Sequence, residues 1–93
     1  MKKILFIVNL DKFFVSHRLP IAISLVELGH EVHIATKFTD QERLLKNLGL
    51  QTHDLPIKRA SLSLFSNFLT LFKIFKLINL IKPNLIHLIT IKP

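Results

Sequence analysis

The chain has no cysteine, no tryptophan and no tyrosine, and only two glycines in 93 residues. Without cysteine there is no disulfide framework, no thiolate metal site and no cysteine nucleophile. Neither glycine falls in the segment after the first apolar run, Asn9 to Val15. A dinucleotide-binding GxGxxG turn is therefore excluded, and no GxxxxGK[ST] phosphate loop occurs anywhere. Acidic residues are also scarce: 6 Asp+Glu stand against 13 Lys+Arg, a formal net charge of +7. That excess favours anionic partners or serves to solubilise an apolar chain. Nucleic acid is not the expected partner, because the aromatics are all Phe and sit at core-like positions rather than interleaved with arginine. A secretory signal is missing too. The apolar run Ile4 to Val8 is short, and Asn9, Asp11 and Lys12 interrupt it before any cleavage site. A reducing cytoplasm is the default location.

What is present is apolar residue, 49% of the chain, with a mean hydropathy of +0.43. A disordered tail is excluded, and at this length one domain at most is expected. Ile4–Val8 reads as a parallel strand buried on both faces. A helix is expected from Ser16 to Leu28, with Leu19, Ala22, Ile23 and Val26 at helical spacing, Pro20 in its first turn and Gly29 past its end. Glu31–Thr36 is the second strand. Thr39-Asp40-Gln41-Glu42 has capping-box form, and Leu44, Leu45 and Leu48 supply the next helix with a buried stripe up to Gly49. Leu50–Leu55 is a third strand, closed by Pro56. A basic, serine-rich connection leads to a long helix over 64–81, broken by Lys82-Pro83-Asn84, and Leu85–Thr90 is the fourth strand.

Alternation of this kind specifies an α/β fold: a partial Rossmann-like, doubly wound parallel sheet of about four strands in order 3-2-1-4, with three helices. Ligands of such sheets bind beyond the carboxyl ends of the strands, where the order reverses, here between the first and fourth strands. The candidate cleft residues delivered there are Asn9, His17 and Arg18 from one side and Thr90 and Lys92 from the other. His17 and Arg18 are placed at the start of the first helix, where free N–H groups favour a phosphate or a sugar hydroxyl. The five histidines show no paired metal-ligand spacing, no Ser/His/Asp arrangement is evident, and no metal, cofactor or catalytic residue is assigned. His33 and His87 read as packed or edge residues.

Four stretches carry a family resemblance. Phe14-Val15-Ser16-His17-Arg18-Leu19-Pro20-Ile21-Ala22 resembles a segment of bacterial family 4 retaining glycosyltransferases of the GT-B fold, in the branch that builds surface polysaccharides and lipid-linked glycans. Leu28-Gly29-His30-Glu31-Val32-His33 looks like the family's second-strand entry. Ile81-Lys82-Pro83-Asn84-Leu85-Ile86-His87 is similar to its fourth-strand entry, with Asn84 where Asp is usual. Leu88 to Pro93 resembles the segment leading to the next turn and helix. The resemblance implies that residues 1–93 are an incomplete N-terminal, acceptor-side domain, without the C-terminal donor domain. It implies partners for the complete enzyme as well: a nucleotide-sugar and a glycan or lipid-linked acceptor. His17 and Arg18 would then lie at the cleft near a phosphate, with Thr90 and Lys92 on its other lip, and the chain alone would be inactive.

The helix over 64–81 is apolar nearly all round, and its polar members fall every third residue. On a helix of ~3.6 residues per turn such a stripe rotates, so no fixed apolar face is expected. It reads as a buried crossover helix with one greasy outer edge. Lys58, Arg59, Lys73 and Lys76 are candidate contacts to an anionic membrane surface, which would place the protein on the inner face of the plasma membrane. If the fourth strand is left as a bare edge, self-association follows. A non-catalytic remnant, or a small membrane- or partner-binding α/β module, is the competing reading.

Overall fold

The computed structural model describes residues 2–55 and 68–89. The elements run β1 (Lys3–Leu10), α1 (Asp11–His17), α2 (Leu19–Glu27), β2 (Glu31–Lys37), α3 (Glu42–Asn47), β3 (Gln51–Asp54), α4 (Phe68–Ile81) and β4 (Leu85–Ile89). The four strands form one parallel sheet in the order β3-β2-β1-β4. The 3-2-1-4 expectation from the alternation is what the chain adopts.

β1 lies between β2 and β4 and is covered on both faces. Its residues Ile4 to Val8 are all buried, and their alternation divides them between two cores. Ile4, Phe6 and Val8 pack with Phe14 of α1, Ala22 of α2 and Leu45 of α3. Leu5 and Ile7 face the opposite way, with Ala35 and Leu55, onto Leu77 and Ile81 of α4. Helices α1–α3 therefore cover one face and α4 the other, as right-handed crossovers on either side of β1 require. Burial of the five β1 side chains contributes on the order of 1.5–3 kcal/mol each.

α2 and α3 end in the same way. Gly29 (φ 89°) and Gly49 (φ 97°) take the left-handed conformation that a side chain would resist. The Gly29 and His30 amides donate to the Val26 and Leu25 carbonyls at 3.0 and 3.1 Å, and Gly49 and Leu50 repeat the pattern on Lys46 and Leu45. In both cases the turn satisfies otherwise orphaned carbonyls and starts the next strand. At the far end of the sheet, Asn84 fixes the register of β4. Its Oδ1 accepts from the Lys3 amide at 2.8 Å, and its own amide donates to the Lys3 carbonyl at 2.7 Å.

Five local expectations need correction. The first helix is two helices, so the described residues hold four rather than three. α1 begins at Asp11, inside the segment read as a loop, because Phe14 anchors a helical turn edge-on against Phe6 with ring centroids 5.1 Å apart. The break falls at Arg18 (φ −124°, ψ −3°), just before Pro20, which has no N–H to continue the ladder. Thr39 does not cap α3. The N-cap is Gln41, without a side-chain cap, and Thr39 is drawn away by Asp11. Leu44 is exposed, while Leu45 is buried and Leu48 half-buried. Finally, α4 does have a fixed inner stripe, Thr70, Ile74, Leu77 and Ile81. The sheet offers a single apolar strip, and a helix can seat only one side on it. The outer side keeps Phe72, Phe75 and Leu80 exposed at 59%, 66% and 78%. The third strand is also shorter than expected, with Leu50 and Leu55 as its buried flanks.

Candidate functional site

The carboxyl ends of β1 and β2 are tied together by one side chain. Asp11, the first residue of α1, is fully buried. Its Oδ2 accepts from the backbone amides of Thr39 and Gln41, both at 2.9 Å. Its Oδ1 accepts from the Thr39 hydroxyl at 2.8 Å and from the Lys12 amide at 2.9 Å. Four donors saturate the carboxylate, which is what lets an acid sit where water cannot reach it. Asp11 is thereby committed to holding the β2–α3 loop against the β1–α1 junction.

Asp40, exposed on the same loop, accepts from the Gln41 side-chain amide at 2.9 Å, and the Thr39 hydroxyl, whose single hydrogen it shares with Asp11, stands 3.1 Å away. The Gln41 bond, followed by that of Thr39 and the Lys12 charge, holds its carboxyl below the usual carboxylate range. Beneath the rim, the Thr36 hydroxyl is buried and has no hydrogen-bond partner.

His17 and Arg18 lie at the bend between α1 and α2. His17 is the last residue of α1, and Arg18 is the N-cap of α2. They are therefore not at the start of the first helix. The seven residues of α1, roughly 10 Å of axis, separate Arg18 from the end of β1. His17 is exposed and Arg18 half-buried. The Arg18 Nη1 donates to the His17 carbonyl at 3.3 Å, while its Nε is buried without a partner. An orphaned guanidinium donor at a helix N-cap has capacity for an anionic or hydroxyl group.

Of the other sequence-derived candidates, Asn9 is in β1 next to Leu10 at the strand's carboxyl end. Thr90 and Lys92 lie outside the described residues, as do Lys58 and Arg59. Lys73 and Lys76 are on the exposed side of α4, with the Lys76 ammonium 5.8 Å from the centroid of the Phe72 ring. Asp11, Thr39 and Gln41 were not picked out from the sequence as a unit, since their contacts span 28 and 30 residues. The position of Asp11 immediately after an apolar strand was the only local sign. A second unforeseen cluster, Glu31, His33 and His53, lies under α4 on the other face. Among the described residues no group of three or more His, Asp or Glu is arranged to hold a metal ion.

A family model described as glycosyl transferase 4-like matches residues 3–93. Neither a curated protein nor a solved structure matches the chain. The family match spans every element described above, from the first residue of β1 onward. The chain belongs to the glycosyl transferase 4-like family.

Proposed function

We propose that this protein forms the acceptor-side wall of a bacterial GT-B glycosyltransferase that moves a sugar from a nucleotide-sugar to a lipid-linked or surface-polysaccharide acceptor. The observation that carries the reading is the family match over residues 3–93. The parallel sheet agrees with it, because its order reverses between β1 and β4 and so opens a crevice at their carboxyl ends. In this reading Arg18 supplies a positive, partly desolvated donor for a phosphate or sugar hydroxyl, with His17 beside it. Asn9, Thr90 and Lys92 complete the lips of the cleft. Asp11 holds the rim in shape and takes no part in proton transfer, since all its acceptor capacity is used. The donor half of the active site belongs to a further domain, and the present chain alone does not turn over.

The test is to incubate the chain with labelled nucleotide-sugars and vesicles carrying a polyprenyl-phosphate-linked glycan. The expected outcome is vesicle association that depends on the glycan lipid and falls in Arg18→Ala, without sugar transfer. Turnover by the chain alone would refute the acceptor-only assignment. Association equal to that with plain vesicles of the same charge would refute the acceptor site.

One observation favours an added membrane contact on the inner face of the plasma membrane. Phe72, Phe75 and Leu80 share the outer side of α4 with Lys73 and Lys76, the pairing of apolar and cationic groups that an anionic bilayer surface accepts. Lys58 and Arg59 extend the same basic character in the sequence. Among the described residues no helix is long and apolar enough to cross a membrane.

A further inference from the structure

On the face opposite the crevice, under α4, three side chains form a hydrogen-bonded chain that the transferase reading leaves unused. His33 lies in β2 beside Leu5 of β1, only 4% exposed. Its Nε2 meets the Glu31 carboxylate at 2.6 Å, and its Nδ1 meets Nε2 of His53 at 2.9 Å. His53 belongs to β3 and pairs with Ala35, and its ring meets that of His33 edge to edge, the planes 18° apart and the centroids 5.2 Å apart. The two rings thus bridge β2 to β3, a four-residue strand at the edge of the sheet.

Hydrogen positions follow from the partners. An ionised Glu31 requires a hydrogen on His33 Nε2, so the neutral His33 ring has a bare Nδ1. That lone pair accepts the hydrogen on His53 Nε2. Adding one proton, to His33 Nδ1, preserves the bond if His53 then turns acceptor. Adding a second leaves an N–H on each of the two facing nitrogens. No rotation of protons rescues that state, and the two cations face each other nitrogen to nitrogen in a half-buried site. We infer that the His33–His53 pair is an acid-opened latch, in which the second proton breaks the bond and frees β3 from β2 beneath α4.

The surrounding cations push the same way, and, among the described residues, a single carboxylate opposes them. Glu31 is the anion in contact with the pair, from the start of β2, and Lys3 of β1 acts on that carboxylate. From α4, Lys73 acts on His53 through its charge. A doubly charged pair would therefore set two imidazolium ions and a lysine against one carboxylate, among the described residues. Burial first, then the charges of His33 and Lys73, hold His53 below its ordinary value of 6.5. The sign follows by linkage. The unfolded chain takes up this proton more readily than the folded one, so the stabilisation is complete above pH 6.5 and declines as the pH falls through and below that value.

The experiment compares the full chain with His53→Gln between pH 7.5 and 5. The variant's amide can still donate to His33 Nδ1 but does not titrate. The expected result is a melting temperature that drops on acidification in the parent and drops clearly less in the variant. In the parent, hydrogen exchange at the Thr52 and His53 amides should accelerate over the same interval beyond its intrinsic pH dependence. Histidine ring 15N shifts of the unmodified chain decide the matter even if the variant folds poorly. Both rings should carry their hydrogen on Nε2 at pH 7.5, and the second protonation should coincide with loss of β3 protection. Parallel loss of stability in parent and variant, or two rings titrating independently with the β3 amides undisturbed, would overturn the latch.

Discussion

Asp11 is the residue that holds the β2–α3 loop against the end of β1. A buried carboxylate with four donors is stable only as a complete set. Asp11→Asn keeps the size but turns one acceptor oxygen into a donor that faces backbone amides. We expect a loss of about 1–3 kcal/mol, the usual penalty for stranded buried groups, read as a lower urea midpoint with an unchanged slope. The amide exchange of Thr39 and Gln41 should rise most. A variant as stable as the parent would mean that the loop is held by something else. This contact was invisible in the sequence for a physical reason. Thr39 and Gln41 sit in a string that looks like a helix cap, and nothing local announces that a carboxylate almost thirty residues earlier will compete for the same donors. The His33–His53 bridge was hidden likewise, because strand register, not spacing along the chain, brings the rings together.

At the scale of elements, strands and their order were legible while helix boundaries and faces were not. β1 announced itself through five consecutive apolar residues, and Gly29 and Gly49 marked the ends of α2 and α3 correctly. α1 was hidden because Asn9 to Val15 has loop-like polar members, and its helical state depends on Phe14 finding Phe6. The inner side of α4 was equally unreadable, since a helix apolar all round does not say which stripe it will bury. The sheet makes that choice. Its outer side can therefore be altered without touching the core. The double substitution Phe72→Ser/Phe75→Ser is expected to change stability by no more than about 0.5 kcal/mol. It should nevertheless sharply reduce flotation with anionic liposomes at low salt. Undiminished flotation would remove the membrane contact, and a large loss of stability would mean that these rings pack against more than solvent.

For the molecule as a whole, the notable asymmetry is between the two edges of the sheet. β3 is short and polar, Gln51-Thr52-His53-Asp54, the kind of edge that discourages further pairing. β4 is the opposite: Leu85, Ile86 and Leu88 are all exposed large apolar residues on an edge strand. We propose that this edge drives self-association of the isolated chain. Sedimentation velocity should show concentration-dependent mass above 10.8 kDa, and Leu88→Lys should restore the monomer without loss of secondary structure. A parent that stays monomeric at high concentration would contradict this.

The central place of β1 has a consequence in time. β1 acquires its β2 neighbour after one short crossover, but its β4 neighbour is encoded some 80 residues later, at Leu85 opposite Ile4. At a synthesis rate of ~5–20 residues per second, the most apolar strand of the protein waits roughly 4–16 s with one edge unpaired. Once β3 is made, the nascent chain can pair only three strands, with α4 and β4 still to come. A bare apolar edge is therefore a hazard on the ribosome as well as after release, and an agent that shields it would act while the chain is growing.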